Sequence, residues 1–136
     1  MPNPLYQVAI DLNNWQKEHA GHTKDHCLQA VRACLPKGLT LPQDIDDTAL
    51  WCGETLSKNP APFGWKLIGI HAEAIPVTQP ALVFFNNCGH LPNGEIAGHI
   101  AVVKMSTKHL ISNDTDDWSD WWAQKVAYVF EPANLA

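Results

Sequence analysis

The period of the apolar pattern changes once along this chain, near residue 64. Before that point apolar residues recur at spacings of three and four. Leu5, Val8, Leu12 and Trp15 make one stripe starting near Pro4. Cys27, Leu28, Val31, Cys34 and Leu35 make a second within "DHCLQAVRACL", and Ile45, Ala49, Cys52 and Leu56 a third across residues 44–56. Such spacing predicts three amphipathic helices. After "SKNPAPFG" the apolar runs become short and rich in β-branched and aromatic residues: "WKLIGIH", "ALVFF", "HIAVV", "HLIS" and "VAYVF". Bounded by Pro, Gly, Asn and Asp, these predict strands of one antiparallel sheet. Helices first and strands second predict an α+β fold, with N-terminal helices packed on an antiparallel sheet. No repeat, low-complexity tract or long linker interrupts residues 1–136, so a single domain is expected, and 46% hydrophobic composition is enough for one core.

Charge narrows the partners. A net charge of −5 with nine Lys and Arg leaves no basic stripe to follow a phosphate backbone, so no nucleic-acid partner is expected. No stretch approaches the ~20 apolar residues of a membrane span, and "MPNPLYQVAIDLNNWQKEH" does not read as a signal peptide. Synthesis in the cytoplasm is the expectation. The four cysteines, Cys27, Cys34, Cys52 and Cys88, contain no C-x-x-C pair and read as reduced thiols. On one helix Cys27 and Cys34 would stand about 10 Å apart, beyond disulfide reach.

The densest chemistry lies in "HAGHTKDHC", residues 19–27. His19, His22 and His26 have a ligand-like spacing, but Gly21 and polar flanks argue against a helix that would converge them on a metal, and no metal or cofactor is expected. Cys27 offers a different chemistry. It falls in the first turn of the second helix, beside Asp25, where N–H groups and the helix dipole favour a thiolate. The other three cysteines read as small buried hydrophobes. In "IAGHIAVV", His99 opens a strand, which holds an imidazole as firmly as a general base requires. "HLISND" then forms the returning arm of a hairpin, bringing Asn113 or Asp114 back beside His99 to orient the ring, the third role of a triad.

Together "DHCLQAVRA", "PALVFFNN", "GHIAVV", "LISND" and "VAYVFEP" resemble the NlpC and CHAP superfamily of papain-like cysteine peptidases and amidases, in which a "PGDLVFF" strand precedes a "GHVAIV" strand. The resemblance spans about residues 23–132. It implies a papain-like fold with Cys27 as nucleophile, His99 as base and Asn113 as orienting residue. It also implies cleavage of amide bonds in the peptide stem of peptidoglycan through a thioester, as in phage lysins and cell-wall hydrolases acting after release or injection, with an inhibitor or delivery protein as a possible partner. No "YxWGG" segment precedes the cysteine, so an upstream oxyanion partner does not carry over; His22, His26 and Asn14 are the local candidates for that role.

His26, Trp65 and Trp118 are the candidates for contacting substrate, with Trp121 and Trp122 as further aromatic planes for a groove. The acidic run "NDTDDWSDWW" lacks the Gly and closing Glu of a calcium loop and reads as a solvated turn. Two other functions fit the same residues: a cysteine toxin or deamidase acting on a protein, and a binding module that keeps the fold without turnover. An acyl transferase of similar fold would carry histidine before cysteine, opposite to the order here.

Overall fold

A computed structural model describes residues 2–20, 26–45 and 47–134. Gly21, His22 and Asp25, named above, lie outside the described residues. Helix α1, Leu5–Glu18, buries Leu5, Val8, Leu12 and Trp15, the stripe its spacing predicts. Asn3 opens it, its side-chain oxygen accepting from Leu5 N at 2.9 Å. Helix α2, Cys27–Cys34, buries Leu28, Ala30 and Val31. It stops at Leu35, whose ψ of 135° is extended, because the following Pro36 crowds a helical conformation there.

Helix α3 is Ala49–Lys58, starting five residues later than the apolar spacing suggested. Aspartate side chains hold the segment ahead of it. Asp44 Oδ1 accepts from Ile45 N, while Asp47 Oδ2 accepts from Asp44 N and from Arg32. Thr48 then caps α3, accepting from Trp51 N at 3.1 Å.

Six strands follow: β1 Trp65–Gly69, β2 Ala81–Phe85, β3 His99–Lys104, β4 His109–Ile111, β5 Thr115–Asp117 and β6 Val126–Pro132, with a short helix α4 at Asp120–Ala123. They form one antiparallel sheet in the order β1-β6-β2-β3-β4-β5. The expected α+β class and helix-on-sheet packing are therefore present. Alternation divides the central strands between two cores. Leu82, Phe84, Ile100, Val102 and Phe130 face the helices, while Val83, Phe85, Ala101, Val103 and Val129 pack on the other side with Ile75 and Cys88. Burial on both faces is why "ALVFF" has no polar position.

Two elements depart from the reading of the sequence. The acidic run is an edge strand, β5, paired with β4 through Leu110 and Asp116, and not a turn; backbone pairing at a sheet edge tolerates side chains that all point to water. Trp121 and Trp122 lie in α4. No helix among the described residues is long and apolar enough to cross a membrane.

Candidate active site

A cleft of about 560 Å³ opens where α2, α3, the start of β3 and α4 converge, and Cys27, His99 and Asn113 all line it. Cys27 is the first residue of α2 and is partly exposed. First-turn N–H groups of a helix lack acceptors within it and, with the dipole, stabilise negative charge on a thiol there. His26, the residue before it, is exposed and lines the same cleft.

His99 is delivered by a tightly tied connection between β2 and β3. Ala97 N donates to Gly89 O, Gly98 N to Cys88 O, and Leu50 N at the start of α3 to Ala97 O at 2.9 Å. Gly98 has φ +74°, and a Cβ there would stand 2.9 Å from Leu50 N and 2.8 Å from Phe85 O. The Gly-His pair is thus a steric necessity: only glycine lets the chain turn left-handed against the end of α3 and enter β3 at the imidazole. By alternation His99 shares the face of Ala101 and Val103, opposite the face on which α2 packs. Cys27 and His99 both line the cleft at the sheet's end.

Aromatic rings surround the imidazole. Phe85 sits directly across the β2–β3 ladder from His99, with ring centroids 6.0 Å apart, and the Trp122 ring lies 5.2 Å away. Burial among them lowers the His99 pKa to about 4, partly opposed by the negative charge of Asp114. The ring is neutral at pH 7, the state in which it accepts a proton. Its Nε2 is sealed from solvent and has no hydrogen-bond partner among the described residues.

Asn113 is buried and lines the same cleft as Cys27 and His99. The β3–β4 ladder is paired only as far as Val102 and Ile111, after which Ser112 N donates to Asp114 O and the strand bends. Asp114 acts on His99 through its charge.

The aromatic assignments also change. Trp65 is 1% exposed, with its Nε1 donating to Thr40 O at 2.8 Å, so it is a core residue with no surface for substrate. Trp118 is partly exposed, packs on the second core against Phe85 and does not line the cleft. Trp121 and Trp122 line the cleft in their stead, Trp121 being 53% exposed. His19 and Asn14 border a separate groove between α1 and α2. His19 is stacked on Trp15 at 4.1 Å and bonded to Trp15 O, which removes it from the cleft rim. His22 lies outside the described residues. Among the described residues no group of three or more His, Cys, Asp or Glu is arranged to hold a metal ion.

Cys88, Asp47 and His90, none of them a candidate site residue from the sequence, also line the cleft. The turn-rich "NNCGH", with Asn87 and Gly89 both at positive φ, was the available signal for the Cys88 and His90 loop. Asp47 carried none. No family model, curated protein or solved structure matches this chain.

Proposed function

We propose that this protein is a cysteine-dependent hydrolase of amide bonds, with the peptide stem of peptidoglycan as substrate. The observation that carries the reading is that Cys27, at a helix N-terminus, and His99, a neutral imidazole at a strand start, line one open cleft although 72 residues separate them. His99 takes the Cys27 proton as the sulfur attacks the carbonyl carbon, giving a tetrahedral oxyanion. The N–H groups of the first turn of α2 offer that oxyanion electrostatic stabilisation. Collapse expels the amine, which leaves with the proton held by His99, and water then hydrolyses the thioester. The resemblance to NlpC and CHAP enzymes supports the choice of substrate, and action on the cell wall after release or injection follows from it.

The test is incubation of purified peptidoglycan with the protein, followed by mass spectrometry of released fragments. Cleavage is expected from the wild type and a loss of at least ~10³-fold from C27A and from H99A with the fold retained, the scale on which removal of a nucleophile or base acts. Undiminished cleavage by either variant would overturn the assignment. A Cys27 inert to iodoacetamide near neutral pH would favour the non-catalytic binding module.

A further inference from the structure

The third role of a triad is to hold the imidazole, and here no hydrogen bond at Nε2 does so among the described residues. A buried ring nitrogen without a partner is uncommon, and a ring so placed turns freely about its side-chain bonds unless packing stops it. Packing is what surrounds this one. Phe85 is fully buried and lies 6.0 Å from His99, Trp122 lies 5.2 Å from His99, and Phe85 and Trp122 contact each other at 5.0 Å. The three rings close a triangle, so neither neighbour can yield without moving the other.

Trp122 is itself fixed. Its other side meets Trp121 edge-on at 4.8 Å, and Lys125 lies over the Trp121 ring at 4.4 Å. The next segment is clamped to the connection that leads into β3: Asn86 N donates to Lys125 O, and Lys125 Nζ donates to Asn87 O, both at 2.7 Å. Through these contacts α4 is tied to the start of β3, and its tryptophan is presented to the imidazole.

We propose that Trp122, backed by Phe85, is the positioning residue of His99: the rings fix the imidazole plane and keep water from Nε2. The inference builds on the catalytic reading only for its effect on turnover; the ring contact itself needs no reaction. Titratable groups facing the same space are His26 and Cys27 at the start of α2, Asp47 ahead of α3, Cys88 and His90 from the β2–β3 connection, Asp114 beyond β4 and Lys125 after α4. Asp114 favours protonation of His99 and is outweighed by burial. Removing the Trp122 ring admits water and leaves that charge in place, so both changes move His99 the same way.

The experiment follows the His99 ring by NMR across pH in wild type, W122A, W122F and N113A. In W122A the midpoint is expected to rise from about 4 towards 6.5, and the acid limb of the pH profile of Cys27 alkylation to rise with it. W122F, which keeps a ring, is expected to stay near wild type, and N113A to leave the midpoint unmoved. If W122A does not fold, W122L serves in the same comparison. A folded W122A or W122L with an unchanged midpoint, or a midpoint that moves in N113A instead, would overturn the proposal. Cleavage that survives in H99A would end the catalytic reading and leave the NMR result standing.

Discussion

Cys27 and Cys52 carry the same thiol and meet opposite surroundings. Cys52 is fully buried, its sulfur pointing at Pro42 O, and burial pushes its pKa up to about 12 even with Arg32 nearby to pull it down. Cys34 is raised to about 11 by burial and by the charges of Asp11 and Glu18. Cys88 is raised by burial, partly relieved by Lys125. Only thiolates alkylate quickly. Mass spectrometry after brief iodoacetamide treatment at pH 8 is therefore expected to show Cys27 modified ahead of the other three, and Cys52 modified only after denaturation. Equal rates at Cys27 and Cys52 would contradict the burial difference. The sequence separated Cys27 from the rest by its helix-opening position. It could not rank the others, because their surroundings are assembled from distant segments.

At the scale of elements, α3 shows two effects pulling against each other. Gly53 lies inside the helix, where alanine is worth about 1 kcal/mol over glycine. A Cβ at that position would stand 2.7 Å from Phe84 Cγ, and Phe84 is fully buried in β2. Overpacking of a rigid core costs about 1–3 kcal/mol, so packing wins and G53A is expected to lower the unfolding free energy in denaturant titration. A rise would mean that the α3–β2 contact is looser than described. At the helix start, T48A removes the acceptor for Trp51 N and is expected to cost about 1 kcal/mol, read in the same experiment. The strands β1, β2, β3, β4 and β6 were legible as runs of β-branched and aromatic residues. β5 was not, since "TDD" has no strand propensity and pairs only because β4 already presents an edge.

Across the whole molecule, burial of titratable groups gives stability a plateau in pH. His99 has a folded pKa of about 4 against an ordinary 6.5, so between these values the unfolded chain binds more protons than the native one. Stability is then lost as pH falls from 6.5 towards 4, by at most about 3 kcal/mol. On the alkaline side the signs reverse. Cys52 ionises at 9.0 when unfolded and near 12 when folded, so its contribution is full below pH 9 and is lost as pH rises beyond it. Urea titrations at a series of pH values should show a plateau between about 6.5 and 9, with the acid slope reduced in H99Q and the alkaline slope reduced in C52A. An acid slope unchanged in H99Q would show that other groups govern it.

The sequence by itself determined three of the helices and five of the strands, their order and the positions of Cys27 at a helix start and His99 at a strand start, since periodicity and turn residues act within a few neighbours. It misjudged the reach of Trp65 and Trp118, which do not line the cleft, and missed Asp47 as a cleft wall. Which face a residue occupies at the end of a strand, and which rings close on it, depends on strand order and on bends several elements away. Only the tertiary structure decided that the imidazole is enclosed by Phe85 and Trp122, because the energy that encloses it comes from contacts among residues that have no relation along the chain.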